Sequence, residues 1–239
     1  MNPTLLKIII QKPTIVQPGL VAEYRFEEGA GQVLYDYRDR NNGQLGSTTG
    51  GDTNDPTWIA NGLTFSTDDY VKLPYVINAE QDFSIYIVAS VGLSAPATIE
   101  TYFSAGNSSI GTQYMWLRRW TDGILGLGWV NDAGVADTAI ISAANVIPGI
   151  RLIVLKRSAS TMFFKDVAGG LLSFVRNVPA NPTTFNQITL GCLNRTIANN
   201  FLNQSIYAFL AYNRNTTTVE DTKIYNTLKR KLAKVGVVI

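Results

Sequence analysis

Short hydrophobic runs separated by turn residues recur along the chain from residue 19 onward. Within them, apolar residues either alternate with polar ones or follow one another, and Gly, Asn, Asp or Pro separates one run from the next. This pattern is typical of the strands of an antiparallel sandwich. We predict strands at residues 20–26, 62–65, 70–73, 83–91, 114–120, 125–130, 151–157, 162–166, 187–193 and 205–212. Because the first and last strands of a sheet protein often lie side by side, we expect the two terminal runs to close one unit.

One segment near the C-terminus has a helical period. Apolar Ile224, Leu228 and Leu232 recur every four residues, which predicts a helix over 218–234. Thr217, followed three residues later by Glu220, fits a capping box at its start. We therefore predict an all-β fold, a two-sheet antiparallel jelly-roll sandwich with one C-terminal α-helix.

Residues 1–18 form a separate, proline-rich segment, which favours an extended N-terminal arm over a helix. Two interpretations are open: the arm is a first edge strand on its own domain, or it anchors the chain to a neighbouring subunit or particle. The predicted organisation is therefore an arm at 1–18 and a sandwich at 19–239. The apolar residues of the arm are Leu5, Leu6, Ile8, Ile9 and Ile10.

Composition narrows the classes of function. Of the 239 residues, 46% are hydrophobic and 16% are charged, which fits one globular sandwich domain. The net charge is only +2, so we expect no nucleic-acid partner. No run approaches the roughly 20 apolar residues that span a bilayer, so we expect no membrane insertion. We also expect no signal peptide, because no basic segment and cleavage site frame the first apolar stretch.

The scarcity of histidine and cysteine removes common catalytic designs. With no His, the chain has no Ser-His or Cys-His nucleophile pair and no His-ligated zinc site. Cys192 is the only cysteine, so an intrachain disulfide is excluded. We expect Cys192 to be a buried apolar residue, since no nearby group is seen that would activate its thiol.

Several stretches together resemble a known family. They are the Tyr-Arg-Phe-Glu-Glu-Gly sequence of 24–29 with Asp36, residues 61–74, residues 83–85, Gly191 and residues 212–214. In combination they are similar to the laminin-G-like members of the concanavalin A-like lectin and glucanase superfamily. The resemblance covers roughly residues 19–234 and implies two curved antiparallel sheets with loops collected at one rim.

A structural calcium at the rim is common in such domains. Oxygen ligands of the kind that calcium needs occur in the 36–42 loop and at Asp52, Asn54 and Asp55. We assign Asp36, Asp39 and Asn41 as the candidate ligands. The alternative is that these residues make local hydrogen bonds in turns, as Asp and Asn do in any β-protein. No other cofactor is expected.

Aromatic and polar residues of one compact region are candidates for sugar binding, since an aromatic ring packs on the apolar side of a pyranose. Trp116 and Trp120 have the same parity and should project from one face of a strand. The alternative is that this face is core, although Arg118 would then be buried with it. The candidate ligand-binding residues are Tyr114, Trp116, Trp120, Trp129, Asn131 and Asp132.

Catalysis is not expected, and no catalytic residue is assigned. Glycosidases of the superfamily place acid and nucleophile close together as Glu-x-Asp-x-x-Glu, and no such string occurs here. Our leading hypothesis is a non-enzymatic component of a bacteriophage virion surface, either a capsid decoration or a tail adhesion protein. It would attach to other virion proteins through the arm, in several copies or as a homo-oligomer, and bind host or environmental glycans. The alternatives are a stand-alone carbohydrate-binding module and a glycoside hydrolase on the same scaffold.

Overall fold

The computed structural model describes residues 15–78, 80–107, 110–130, 136–159, 161–167, 174–177, 184–194 and 198–239. The arm residues Leu5, Leu6, Ile8, Ile9 and Ile10 lie outside this part of the chain, so their predicted anchoring role stays a prediction. The first strands are β1 (Leu20–Tyr24), β2 (Val33–Leu34), β3 (Gly43–Leu45), β4 (Thr57–Ile59), β5 (Gly62–Thr64), β6 (Val71–Leu73), β7 (Ile77–Asn78), β8 (Phe83–Val91), β9 (Glu100–Asn107) and β10 (Ile110–Arg119).

The second half of the chain adds further strands and two helical elements. These strands are β11 (Leu125–Val130), β12 (Ala136–Ile141), β13 (Gly149–Ser158), β14 (Thr161–Asp166), β15 (Phe174–Asn177), β16 (Thr184–Phe185), β17 (Gln187–Leu190), β18 (Leu193–Asn194), β19 (Ala198–Asn199) and β20 (Ser205–Tyr212). A short 3₁₀ helix spans Ala143–Asn145, and helix α1 spans Thr218–Ala233.

Sixteen of the described strands form two antiparallel eight-stranded sheets, which confirms the predicted sandwich, and β7 with β16 and β18 with β19 form two small two-stranded sheets. The first sheet has the order β15-β14-β13-β8-β20-β5-β4, and β1 also pairs with β20. The second has the order β12-β11-β10-β9-β17-β6-β3-β2. The pairing of β1 with β20, with Tyr24 opposite Phe209, confirms that the two ends of the sandwich lie side by side.

The main core lies between the two sheets, where inward-facing residues of both form one hydrophobic cluster. A second cluster lies on the outer face of the first sheet, where Ile224, Leu228 and Leu232 of α1 pack on β8, β13 and β20. These central strands are therefore buried on both faces, which explains why their sequences are almost continuously apolar.

Helix α1 begins as the sequence predicts. The Thr217 side chain accepts a hydrogen bond from the backbone N–H of Glu220, and the Glu220 carboxylate accepts one from the backbone N–H of Thr217. This reciprocal pair satisfies two donors that the first helical turn would otherwise leave free. Among the described residues, no helix is long and apolar enough to cross a membrane.

Candidate functional site

The outward-facing side of the second sheet, called the open face below, has no helix packed on it among the described residues. Cross-strand pairing aligns one row of its residues from the β12 edge towards the β2 edge. In order, the row is Thr138, Gly128, Trp116, Ser104, Thr189, Lys72 and Gln44. Thr138, Lys72 and Gln44 are partly exposed and bring hydroxyl, ammonium and amide groups to this face. Trp116, Ser104 and Thr189, in the middle of the row, are at most 5% exposed, and the two hydroxyl groups bond to the Cys192 carbonyl.

Trp120 is the half-buried aromatic group of the open face. It follows β10 at a tight hairpin, in which its N–H donates to the carbonyl of Ile124 at 2.9 Å. Its ring lies against Gly126 of β11 so closely that a Cβ on that glycine would come within 2.5 Å of Cζ3. Gly126 therefore leaves room for the indole to approach the strand, as glycine does where another group comes close to the backbone.

Trp116 lies on the same face as Trp120, as their shared parity predicts, but it is buried. It is only 5% exposed and packs against Val130 and Leu193, with Tyr114 at 5.2 Å between ring centroids. A Cβ on Gly128 would come within 2.0 Å of its Cζ2. Trp116 therefore belongs to a small cluster on the open face, and its ring does not form the surface platform that the sequence suggested.

Arg118 lies between the two tryptophans in sequence and shares their face. Its guanidinium carbon is 4.9 Å from the centre of the Trp116 ring, within the range of a cation–π contact. Its Nε donates to the Thr101 hydroxyl at 3.3 Å. Arg118 is half-buried, and the face that it shares with the tryptophans is not the main core. No arginine is therefore buried in the main core at this position.

The structure places Trp129 in the main core, away from the predicted ligand-binding surface. Pairing of β10 with β11 places it opposite Met115, so its side chain points into the main core. It is 4% exposed and meets Phe185 edge to face at 4.9 Å between ring centroids. Trp129 therefore does not reach a ligand at the surface, and Asn131 and Asp132 lie outside the described residues.

A polar groove on the same face was not predicted from the sequence. It has a volume of about 330 Å³ and crosses β3, β6 and β17. Lys72 provides its charged group, and the Lys72 Nζ donates to the Ser47 carbonyl at 3.3 Å. Its lining residues are Asn42, Gln44, Lys72, Leu73, Pro74, Asn186, Ile188 and Thr189. They come from stretches far apart in sequence, so no local sequence motif predicts the groove.

Asp36, Asp39 and Asn41 form part of a tight turn. Oδ1 of Asp36 accepts hydrogen bonds from the backbone N–H groups of Glu23 at 2.9 Å and Arg38 at 3.0 Å. These bonds are the local contacts that the turn alternative predicts. Asp39 is exposed at φ +55°, and Asn41 is half-buried. Among the described residues, no three acidic, thiol or imidazole groups are arranged to hold a metal. Calcium binding here stays a prediction.

The loop before β4 contains another carboxylate with an ordered environment. Asp52 accepts hydrogen bonds from the hydroxyl groups of Ser47 at 2.6 Å and Thr48 at 2.9 Å, and from the N–H of Asn54. The Ser47 hydroxyl contributes most to a lowered pKa of Asp52. All of these hydrogen bonds lie within one loop, so the Asp52 carboxylate stabilises the loop conformation.

Cys192 is fully buried at the turn after β17, as its sequence context predicted. Burial raises the pKa of its thiol to about 12, and the Thr189 hydroxyl lowers it only in part. A thiol with such a pKa is almost entirely protonated at neutral pH, so it is a poor nucleophile.

No protein-family model and no curated protein sequence matches the chain. Solved structures do match. Botulinum neurotoxin type C aligns with a TM-score of 0.63 and 12% identity, over 88% of this chain and 51% of that one. The binding domain of botulinum neurotoxin DC gives 0.64 and 12%, over 88% and 51%.

Trypanosoma rangeli sialidase aligns with a TM-score of 0.64 and 15% identity, over 92% of this chain and 34% of the sialidase. The fold is a lectin-like β-sandwich. This chain spans about half of each neurotoxin chain and a third of the sialidase chain. At these identities the likeness establishes the fold and leaves activity to be argued from the residues.

Proposed function

We propose that this protein binds glycans on the open face of its second sheet, without catalysing a reaction on them. The observation that supports this most directly is Trp120, a half-buried indole packed against Gly126 on the open face. A flat ring of this kind packs against the C–H groups of a sugar. Arg118 and Thr138, which lie nearby on the same face, are the polar groups that would meet its hydroxyls.

The structural neighbours agree with this choice of ligand class. Cell entry of botulinum neurotoxin type C depends on interaction with two ganglioside molecules, and the Trypanosoma rangeli sialidase binds sialic acid. Membership of the laminin-G-like group, which residues 24–29 and 61–74 suggest, belongs to the same proposal. Neither likeness assigns a particular sugar to this chain.

The absence of catalysis is part of the proposal. It is argued from the contacts of the two acidic residues that follow β1. Glu27 and Glu28 are engaged in loop contacts: Glu27 accepts the Tyr37 hydroxyl at 2.9 Å, and Glu28 accepts the Tyr35 N–H at 2.8 Å. Burial raises the pKa of Glu28. These contacts engage one oxygen of each carboxylate with the loop, which supports a structural role for both residues.

The test is to compare Trp120→Ala with Trp58→Ala on a glycan array, followed by titration of any sugar that binds. Trp58 is the matched control, because it is also half-buried but lies on β4 of the first sheet, with its Nε1 donating to Gly31 at 2.8 Å. We expect Trp120→Ala to lower affinity by at least about tenfold, or 1.4 kcal/mol. Trp58→Ala should retain the affinity of the unmodified protein.

Two results would contradict the proposal. One is the absence of binding to any sugar by the folded protein. The other is an equal loss of affinity in both variants, which would mean that the open face is not the binding surface. Circular dichroism of each variant establishes that the fold is retained.

The predicted place of action, a bacteriophage virion surface reached through residues 1–18, is a separate proposal. It concerns where the glycan is met and does not alter the chemistry of the open face. Isolation of the protein with virus particles supports it, and recovery of the protein free of any particle argues against it.

A further inference from the structure

A second cavity lies at one end of the sandwich, away from the open face. It has a volume of about 300 Å³ and is called the rim cleft below. It opens where β8 ends, β13 begins and the 3₁₀ helix at Ala143–Asn145 crosses between the sheets. Its lining residues are Val91, Leu125, Ile141, Ala144, Asn145, Val146, Ile147, Arg151, Ile153 and Asp166.

The floor of the rim cleft is apolar and fixed, whereas its lip is exposed. Val91, Ile141 and Ile153 are at most 4% exposed and belong to the main core. Ile147 at the lip is 44% exposed. The cleft volume is at the lower end of the range for small-molecule sites, which are mostly apolar with a few fixed polar groups. An apolar ligand of modest size would therefore be well shielded from water here.

The charged groups that line the rim cleft are one arginine and one aspartate. Nε of Arg151 donates to Oδ2 of Asp166 at 2.7 Å, and the two side chains are 13% and 15% exposed. The ion pair uses this one edge of the guanidinium, and Arg151 Nη2 is buried without a partner among the described residues. Because arginine binds carboxylates through paired N–H groups, the other edge of the guanidinium remains suited to a second carboxylate.

From these observations we infer that the rim cleft binds a small apolar monocarboxylate, with its hydrocarbon part on Val91, Ile141 and Ile153 and its carboxylate at Arg151. The arginine then lies between two carboxylates, Asp166 on one edge and the ligand on the other. This site is independent of the glycan proposal, since it uses none of the open-face residues.

The probe is octanoate, and octan-1-ol is its matched control, because the two share a chain length and differ in the head group. Titration is followed by the methyl NMR signals of Val91, Ile141, Ile147 and Ile153. We expect saturable shifts of these signals with octanoate and an affinity at least about tenfold lower for octan-1-ol, as expected for losing a hydrogen bond to a charged group.

Three variants separate the steps of the inference. Ala144→Trp, placed at an exposed position of the lip, should fill the cleft and abolish binding of both probes. Replacing Arg151 by Met and Asp166 by Leu together leaves no single buried charge, so the fold should be kept while the preference for octanoate disappears. Trp120→Ala should leave octanoate binding unchanged, which keeps a failure of the glycan proposal distinct from a failure here.

The inference is overturned by any of three results. The cleft methyl signals stay unmoved as octanoate is added, octan-1-ol binds as tightly as octanoate, or Ala144→Trp still binds octanoate normally. Thermal melting of each variant verifies that binding is compared between folded proteins.

Discussion

Replacing Asp221 with asparagine removes one charge from a network buried beneath helix α1. Oδ1 and Oδ2 of Asp221 accept from Lys156 Nζ at 2.6 and 2.8 Å, and Oδ2 also accepts from Lys165 Nζ at 2.7 Å. Hydroxyl groups of Tyr86 and Thr216 complete its shell. The side chains of Asp221 and Lys156 are each 3% exposed, so the amide variant leaves a buried ammonium group without its anion.

The size of the effect follows from that burial. Removing one partner of a buried ion pair typically costs about 3–5 kcal/mol, because the remaining charge stays desolvated. A domain has only about 5–15 kcal/mol of stability in all, so Asp221→Asn should remove a large part of it. For a slope of about 2–3 kcal/mol per molar urea, the unfolding midpoint should fall by roughly 1–2.5 M.

The matched control is Glu220→Gln, on the adjacent residue of the same helix. Glu220 is paired with Arg214 at 2.6 Å, but those side chains are 21% and 30% exposed. The pair is bidentate, but its partial exposure to solvent limits its contribution to about 1 kcal/mol, and glutamine keeps the capping box. Urea unfolding followed by far-ultraviolet circular dichroism measures both variants. Equal losses of stability in the two would refute the argument that burial sets the cost.

Two further predictions concern packing and pH. Gly128→Ala should cost about 1–3 kcal/mol, because its Cβ would lie 2.0 Å from the Trp116 ring. Gly50→Ala, with no atom within 4 Å of its Cβ, should be neutral or slightly stabilising. The same urea unfolding assay measures both glycine variants. In acid, the stabilising contribution of Glu220 and Asp221 should be complete above about pH 5 and be lost from about pH 4.5 towards 2. The hydrogen bond from Arg214 lowers the pKa of Glu220 from 4.5 to about 2. Burial alone would raise the pKa of Asp221, but its hydrogen bonds from Lys156 and Lys165 lower it overall. Both carboxylates therefore stabilise the fold while ionised and cease to do so on protonation, and an unfolding midpoint that does not change between pH 6 and 3 would contradict this.

Elements with a strong local pattern could be predicted from the sequence. The runs at 83–91, 125–130 and 205–212 coincide with β8, β11 and β20, and helix α1 has the expected start. Strand β9 was missed, because its outward-facing residues include Thr101 and Ser104, whose polarity interrupts the apolar run. The Ser104 hydroxyl donates to the carbonyl of Cys192, a contact that only the folded chain reveals.

The sequence of a single strand predicts which of its side chains share a face, but it does not predict how that strand is aligned with its neighbour. Trp116 and Trp120 share a strand direction, so their common face follows from parity alone. Trp129 lies on a second strand, and its face depends on the register that the 120–124 hairpin sets between β10 and β11. A shift of one residue in register would have moved it to the open face.

The two tryptophans of the open face differ in what covers them, and that difference decides their roles. Each lies over a glycine of β11, an arrangement that compensates for the missing side chain in the strand. The Trp116 ring is closed over by Val130 and Leu193, so its contribution is to packing. Trp120, at the hairpin, is not part of that cluster and remains partly exposed. The same local arrangement therefore produces one buried packing contact and one partly exposed ring, and the glycan proposal depends on the second alone.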